Sequence, residues 1–255
     1  MCSEKLLIID TRNLVDRFWY ATKDHKKTIK LFFHKIHEAA VEFDIHRIFF
    51  TSDSQSKNTC RHKFYSEYKA SRDETPQEIS NIIKSIKKEV KIKYNAIVME
   101  HNFYEADDFI ASAVEYAKTR GLCSYIMSTD KDMEQLIDEH TFIINYSNDN
   151  EIKNINWFLE KYHFEPKYLL DYLALMGDAS DNIPGVKGIG KKTAQDLIQN
   201  YTSIKNIYQN IDKLKPAQQK KLENGKDDVR LSYALVKLNK KLFEDTDLDS
   251  FVARF

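Results

Sequence analysis

The chain has 255 residues, of which 42% are hydrophobic and 12% aromatic, enough to build a substantial core in one large or two small domains. Its 39 Lys and Arg residues balance 39 Asp and Glu residues, so the net charge is zero and excludes neither acidic nor basic partners. No apolar run reaches the ~18–20 residues of a membrane span and no signal-peptide core follows Met1, so we expect a cytoplasmic protein. The odd, widely spaced cysteines Cys2, Cys60 and Cys123 argue against a disulfide framework or zinc site and are expected to be reduced thiols.

Strands and helices are predicted to alternate through the first part of the chain. Short β-branched and aromatic runs predict buried strands at 6–9, 47–50, 96–99, 124–127 and 142–145. Helical patterns at 28–42, 75–92 and 105–119 separate them. This alternation is typical of right-handed crossovers and a parallel sheet.

From residue 166 onward the pattern is helical. Helices are predicted at 167–176 and 190–200, with shorter ones over 203–243. We therefore expect an α/β domain over about 1–160 and a helical region over 161–255.

Carboxylates follow the predicted strands. In a parallel sheet the positions after the strands meet at the carboxyl edge, where ligands of α/β folds bind. Two further acids precede a glycine-rich turn. The nine candidates are Asp10, Asp53, Glu105, Asp107, Asp108, Asp130, Asp132, Asp178 and Asp181.

Clustered carboxylates repel one another and raise one another's pKa values unless cations bind among them. An all-oxygen ligand set without His or Cys favours Mg²⁺ or Mn²⁺, and such a cluster commonly holds two ions for phosphoryl chemistry. Taken singly, the acids at 105–108 fit a helix cap and those at 130–132 a solvated turn. Four clusters at one edge favour the metal site.

Glycine is rare but concentrated. Three of the six glycines, Gly185, Gly188 and Gly190, fall in the segment 182–194 between two predicted helices. In a helix-hairpin-helix arrangement such glycines let phosphate oxygens reach backbone N–H groups at the second helix, where the dipole also favours anions. The alternative is a tight turn whose lysines face water. A dinucleotide fingerprint is excluded because the segment follows a helix.

Local charge supports a nucleic-acid partner. Residues 182–241 contain 13 Lys and Arg against 5 Asp and Glu, and residues 54–95 contain 10 against 5. Two basic regions thus flank an acidic centre, as expected if phosphates are held on either side of a metal site, although solvated helix faces would give the same counts. The segment RHKFYSEYKASR at 61–72 interleaves cations with aromatic residues, a combination suited to single-stranded ends unless Phe64 and Tyr65 are core residues.

In this order, the motifs EADD at 105–108, STDKD at 128–132 and GDASDNIPGVKGIGKKTA at 177–194, together with the segment at 61–72, resemble the 5′-nuclease family. This family comprises the 5′→3′ exonuclease domains of bacterial DNA polymerase I and the phage flap endonucleases, and the resemblance covers about residues 5–240. It implies a PIN-like, Rossmann-like parallel-sheet nuclease core, a helical arch over about 61–95 and a helix-hairpin-helix region. The implied activity is metal-dependent hydrolysis of DNA near 5′ ends or flaps in replication and repair.

The resemblance also implies residue roles. Asp10, Asp53, Glu105, Asp107, Asp108 and Asp130 match the family's catalytic metal cluster, with Asp132, Asp178 and Asp181 on its second-metal side. Lys69, Arg72 and Arg17 match catalytic cations. The implied DNA contacts are Arg61, His62, Tyr68, Gly185, Lys187, Gly188, Gly190, Lys191, Lys192 and Thr193. Backbone carbonyls near Val186 and Ile189 would bind K⁺.

The implied partner is DNA as 5′ flaps, nicked or gapped duplex and RNA-primer ends, bound by a monomer. Thr11, where the family usually has glycine, and Cys60, where it has an aromatic residue, depart from the family pattern without removing a ligand. A non-catalytic DNA-junction binding protein and a PIN-like ribonuclease remain alternatives. The sequence leaves open whether the enzyme is free-standing or part of a longer polymerase chain.

Overall fold

The computed structural model describes residues 4–54, 56–244 and 248–254. Its internal contacts divide the chain into two units. The first unit contains residues up to Thr59, residues 74–154 and residues from Leu238 onward. The second unit contains residues 60–73 and 155–237.

The strands of the first unit form one seven-stranded sheet with the order β3-β2-β1-β4-β5-β6, and β7 pairs with β2. Strands β1 to β5 run parallel, whereas β6 is antiparallel to β5 and β7 to β2. Their bounds are β1 Lys5–Asp10, β2 Arg47–Thr51, β3 Val98–Met99, β4 Cys123–Met127, β5 Thr141–Asn145, β6 Glu151–Lys153 and β7 Ala253–Arg254. The predicted α/β fold with a mainly parallel sheet is confirmed.

The central strand β1 is apolar because both of its faces are covered. Leu7, Ile8 and Ile9 are fully buried, as expected for a strand in the middle of a parallel sheet. The strand predicted at 96–99 is present as β3 but is only two residues long. Strands β6 and β7 were not predicted because they are short and carry too few apolar residues to form a period-two pattern.

The α-helices, numbered in chain order, are α1 Thr11–Thr22, α2 His25–Glu42, α3 Cys60–Phe64, α4 Gln77–Tyr94, α5 Ala106–Thr119, α6 Ile155–Tyr162, α7 Leu169–Met176, α8 Lys191–Tyr201, α9 Ile204–Gln209, α10 Pro216–Asn224 and α11 Lys226–Val236. Among the described residues, no helix combines the length and apolar character needed to cross a membrane.

Helix α4 belongs to the core of the first unit. Its apolar side chains Ile82, Ile86 and Val90 recur at helical spacing, are fully buried, and share a hydrophobic cluster with Phe32 of α2 and Leu14 of α1. The segment 61–95, predicted as one arch, is therefore divided. Its first part belongs to the second unit and α4 packs in the first.

A buried arginine attaches the segment 60–73 within the second unit. The guanidinium of Arg61 donates to the carbonyl oxygens of Leu235 at 2.8 Å and Lys237 at 3.2 Å, at the end of α11. These carbonyls have no partner within the helix, so Arg61 satisfies polar groups that the helix end leaves open.

The turn that leads from α7 towards α8 depends on two glycines in contact. Gly177 and Gly185 adopt positive φ values of 70° and 59°, and Asp178 and Ile183 form an antiparallel bridge between them. A Cβ atom at Gly185 would lie 2.5 Å from the backbone nitrogen of Gly177. Only glycine allows the two backbones to approach this closely.

The cysteines differ from expectation at one position. Cys60 is a reduced thiol, as predicted. Cys123, at the start of β4, is disulfide-bonded, so the expectation of a reduced thiol is wrong there. The parity argument missed this bond because it treated the odd number of cysteines as a reason against any pairing. Cys2 lies outside the described residues.

We predict that Gly185→Ala destabilises the protein by at least about 2 kcal/mol, because alanine combines an unfavourable positive φ with a backbone clash. Urea unfolding measures this change. Gly121→Ala is the matched control, since Gly121 has φ 69° but no heavy atom within 4 Å of the added Cβ. The control isolates the cost of positive φ, about 1 kcal/mol. Equal losses in the two variants would show that the close backbone approach is unimportant.

Candidate functional site

Asp10 lies at the carboxyl end of the central strand and begins α1. It is 6% exposed. One carboxylate oxygen accepts the backbone N–H of Asn13 at 3.2 Å, which is a helix N-cap, and the other accepts the hydroxyl of Ser128 at 2.9 Å. The side chain is thus held in one orientation by β1, α1 and the segment after β4.

The segment after β4 places two more acids through a series of hydrogen bonds. Ser128, which donates to Asp10, accepts the backbone N–H of Asp130 at 3.1 Å. Asp130 in turn accepts the backbone N–H of Asp132 at 2.8 Å and caps the 3-10 turn Lys131–Leu136. Asp10, Asp130 and Asp132 are therefore linked by hydrogen bonds that run through the side chains of Ser128 and Asp130.

A buried ion pair fixes the same turn to the sheet. Glu134, whose side chain is 1% exposed, contacts the ammonium of Lys153 in β6 at 2.8 Å. A buried carboxylate requires such a partner, and losing the partner is costly. Lys153 thereby restrains the turn that carries Asp132.

The acids of the EADD motif have different structural roles. Glu105 and Asp108 form a capping box at the start of α5, and both are buried. Asp108 accepts the backbone N–H of Glu105 at 3.3 Å with one oxygen and that of Asn239 at 2.9 Å with the other. Asp53 accepts the backbone N–H of Ala106 at 2.7 Å, which joins the end of β2 to α5, and Asp107 is half-buried. Both carboxylate oxygens of Asp108 therefore accept hydrogen bonds from backbone N–H groups.

The electrostatic state of Asp10 reflects the neighbouring acids. Burial, together with the facing carboxylates of Asp53 and Asp130, raises the pKa of Asp10 to about 7. Among the described residues, no three Asp, Glu, His or Cys side chains are grouped closely enough to hold a metal ion by themselves. The donors are nonetheless all oxygen, and Mg²⁺ usually keeps several waters and takes only one or two carboxylates. The residues fit a hydrated divalent ion, whose charge would relieve their repulsion.

Residues that the sequence analysis did not select orient the start of α1. The side-chain oxygen of Asn13 accepts the backbone N–H of Thr129 at 2.9 Å, its hydroxyl at 3.0 Å and the Tyr146 hydroxyl at 2.7 Å. Burial raises the pKa of Tyr146, and Arg17, which is exposed, opposes this shift. Thr11, next to Asp10, is fully buried, and its hydroxyl finds no hydrogen-bond partner in the part of the chain that the structure describes.

In the second unit, two predicted functional residues contact each other. The guanidinium of Arg72 donates to one carboxylate oxygen of Asp181 through Nε at 2.9 Å and through a terminal nitrogen at 2.5 Å. Asp181 is 8% exposed and its carbonyl accepts the backbone N–H of Lys69 at 2.9 Å. Asp178 caps the same turn by accepting the N–H and hydroxyl of Ser180. The segment 60–73 is thus bound to the turn that carries both acids.

Two of the predicted DNA contacts are buried. Arg61 is 6% exposed, with its guanidinium on carbonyl oxygens, and Tyr68 is 4% exposed, with its ring packed edge to face against His62. Their surroundings in the second unit therefore give Arg61 and Tyr68 structural roles, and the DNA contacts of these two residues stay predictions. The sequence pattern could not separate buried from exposed aromatic residues in this segment.

The glycine turn presents an exposed face with cations. Lys187, Gly188, Gly190, Lys191 and Lys192 are exposed, and Thr193 is half-buried, at the start of α8. The carbonyl of Val186 accepts the backbone N–H of Ile189 at 2.8 Å, and both of these side chains are buried.

Residues of helices α10 and α11 contact the glycine turn and stabilise it. Ser232 accepts the backbone N–H of Gly185 at 2.9 Å, and the ammonium of Lys221 donates to the carbonyl of Gly188 at 3.0 Å. A Cβ atom at Gly225 would lie 2.9 Å from the Val186 side chain, so the corner between α10 and α11 packs directly on the turn. None of these three supports was predicted, because each contact spans more than 30 residues.

Comparison with protein families gives two matches. A model of the N-terminal resolvase-like domain of 5'-3' exonucleases matches residues 5–163. A model of the C-terminal SAM fold of 5'-3' exonucleases matches residues 164–254.

Curated relatives carry related names. The chain is 34% identical over 250 residues to a 5'-3' exonuclease of Mycoplasmopsis pulmonis, covering 94% of this chain and 82% of that protein. It is 41% identical over 176 residues to DNA polymerase I of Caldicellulosiruptor bescii, covering 67% of this chain but 21% of that protein. The chain thus spans about a fifth of the polymerase.

Solved structures share the fold. T5 5'-exonuclease with bound divalent zinc ions has a TM-score of 0.82 at 22% identity, with 97% of each chain covered. A T5 flap endonuclease in a pseudo-enzyme-product complex with DNA and metal ions has a TM-score of 0.81 at 22% identity, covering 97% of this chain and 96% of that one.

We predict that Asp10→Asn stabilises the metal-free protein at high pH. A pKa raised from 3.8 to about 7 means that folding favours the protonated carboxyl, so its contribution is present below pH 4 and is lost as the pH rises through 7. The loss is about 4 kcal/mol at 1.36 kcal/mol per pKa unit. Asparagine keeps the N-cap without the charge.

Urea unfolding in EDTA between pH 4 and 8 tests this expectation. The stabilities of Asp10→Asn and the unmodified protein should be similar at pH 4, diverge progressively between pH 4 and 7, and differ by a constant amount above pH 7. Parallel pH profiles for Asp10→Asn and the unmodified protein would contradict the raised pKa.

Proposed function

Because the chain belongs to the 5'-3' exonuclease family, we propose that it hydrolyses DNA phosphodiester bonds at 5′ ends and 5′ flaps with the aid of divalent metal ions. The family is one of structure-specific 5′ nucleases, and the chain is an enzyme of this class. The observation that carries the proposed chemistry is the buried Asp10 carboxylate facing Asp53 and Asp130. Such an arrangement favours a bound cation, whose charge would offset the repulsion.

In this proposal the acids of the first unit hold Mg²⁺ or Mn²⁺. Asp10, Asp53, Glu105, Asp107, Asp130 and Asp132 would supply ligands directly or through water, while Asp108 orients the motif through its two backbone contacts. Asp178 and Asp181, which belong to the second unit, remain predicted metal ligands. Divalent ions, when bound, supply an activated water and stabilise the leaving oxygen of an in-line displacement.

Lys69 and Arg72 would offset the charge of the phosphate that is cleaved. Arg72 already lies on a carboxylate, so its guanidinium is oriented before any substrate arrives. Arginine suits this task because its planar donors match phosphate oxygens. Arg17 would add positive charge near Asp10, which agrees with its influence on Tyr146.

The glycine turn would hold duplex DNA by its backbone. Exposed Lys187, Lys191 and Lys192 and the N–H groups at the start of α8 suit phosphate contacts that do not depend on base sequence. K⁺ bound through the carbonyls of Val186 and Ile189 belongs to the same proposal, since a carbonyl that accepts one hydrogen bond keeps a second lone pair. We propose that the protein acts as a monomer and that RNA-primer ends are also substrates.

We predict that the protein cleaves a 5′-flap duplex in the presence of Mg²⁺, but not in EDTA and not when the flap is on the 3′ side. Gel analysis of end-labelled substrates measures both dependences. Binding without cleavage in either Mg²⁺ or Mn²⁺ would favour a non-catalytic junction-binding protein. Preferred cleavage of unstructured RNA would favour a ribonuclease.

We predict that Asp130→Asn lowers the cleavage rate at least about 100-fold, while the affinity for flap DNA stays within about threefold. Asparagine preserves the cap that Asp130 provides to the turn, so the fold is retained. Asp138→Asn, a carboxylate that pairs with Lys118 near the start of β5, at the opposite edge of the sheet from Asp130, is the control and should cleave normally. A normal rate for Asp130→Asn would refute the metal assignment.

We predict that Arg72→Gln lowers the cleavage rate about 100-fold, because it removes a cation aimed at transition-state charge. Lys63→Gln, an exposed cation in the same segment, is the matched control and should change the rate less than threefold. Single-turnover kinetics separate this effect from substrate binding. Equal rates for the two variants would show that the segment acts only through its net charge.

A further inference from the structure

A cavity of about 380 Å³ lies between α9 and α11 in the second unit, apart from the glycine turn. Ile204, Tyr208 and Val229 form its apolar lining. Val229 is 2% exposed and forms the floor of the cavity. A volume of this size is at the lower end of ligand pockets and accommodates one large apolar side chain with its neighbours.

The walls of the cavity are held in place before any ligand binds. The Tyr208 hydroxyl donates to the carbonyl of Leu222 at 2.8 Å, which fixes the ring. The first turn of α9 is capped by Ser203, and the backbone N–H of Ile204 donates to Asp171 at 2.8 Å. A preformed cavity reduces the entropic cost of binding.

Three cations surround the opening. Lys205, Lys226 and Arg230 line the cavity and are exposed, and the Lys226 ammonium lies 6.0 Å from the centre of the Tyr208 ring. Asp227 contacts Arg230 at 3.1 Å but is itself 94% exposed. The rim therefore keeps a net positive charge around an apolar floor.

We propose that this cavity binds an acidic peptide segment of a partner protein. A bulky apolar side chain of the peptide would enter between Ile204 and Val229, and its carboxylates would face Lys205, Lys226 and Arg230. Interfaces of this kind combine an apolar centre with a polar rim that provides charge complementarity. The proposal concerns different residues from those of the proposed nuclease site.

The lining favours a peptide over a nucleic acid. Among the described lining residues, Gln209 alone offers both donors and acceptors to base edges, because the Tyr208 hydroxyl already donates to Leu222. Aliphatic Ile204 and Val229 match an apolar side chain better than a stacked base.

Fluorescence anisotropy of the full chain with a labelled peptide, Glu-Asp-Asp-Phe-Asp-Asp-Glu, tests the proposal. We expect a Kd on the order of 100 µM at low salt, a value typical of weak, transient contacts. Replacing the phenylalanine of the peptide with alanine, or its acids with their amides, should weaken binding at least tenfold.

Two variants locate the binding site. Lys226→Glu with Arg230→Glu should weaken peptide binding at least tenfold, and the milder Lys226→Gln with Arg230→Gln should weaken it about threefold. The matched control, Lys167→Glu with Lys213→Glu, changes two exposed lysines outside the cavity and should stay within twofold. Melting temperatures confirm that each variant is folded.

An unchanged peptide Kd in folded Lys226→Gln with Arg230→Gln and in the charge-reversed variant would overturn the proposal. A tenfold loss of oligo(dT) binding without loss of peptide binding would overturn it in favour of a nucleic-acid surface. Flap cleavage by the same variants is a separate readout. Peptide binding without nuclease activity would refute the proposed function and leave this inference standing.

Discussion

Burial of the Asp10 carboxylate at the end of the central strand places a strong constraint on the first unit. The group is removed from water, accepts two hydrogen bonds from different segments and faces two further carboxylates. Desolvation and like charge both favour its protonated form. The sheet, helix α1 and the turn after β4 therefore meet at Asp10. Ionised carboxylates repel one another there. This energetic conflict is what makes the edge suited to a divalent ion.

In the second unit, the glycine turn is held rigid without large side chains. Gly177 and Gly185 pack backbone against backbone, and Ser232 and Lys221 satisfy polar groups of the turn from α10 and α11. A turn held by its own main chain can present N–H groups without occupying the space that a ligand would need. Its rigidity comes from these contacts, which leave its lysines exposed.

The sequence predicted the parallel sheet because the buried strands are apolar throughout, and it predicted the acids because they follow those strands directly. It did not predict Ser128, Asn13 or Ser232. Their roles depend on partners in other elements, and serine and asparagine are ordinary residues in any loop. The same limit explains Arg61, a cation in a basic segment whose guanidinium is used inside the fold. Local patterns show which residues are available, whereas burial decides which face a ligand.

Lys69 has a left-handed backbone, with φ 54°, in a chain where glycine is scarce. For a residue with a Cβ this conformation costs about 1–2 kcal/mol. The bond from its N–H to Asp181 and the Tyr68 ring, 4.9 Å from its ammonium, hold it there. Glycine or asparagine would adopt the same conformation with less strain. Selection of this protein for thermal tolerance alone would therefore favour replacing Lys69, and would remove a cation that these contacts hold in a strained backbone conformation.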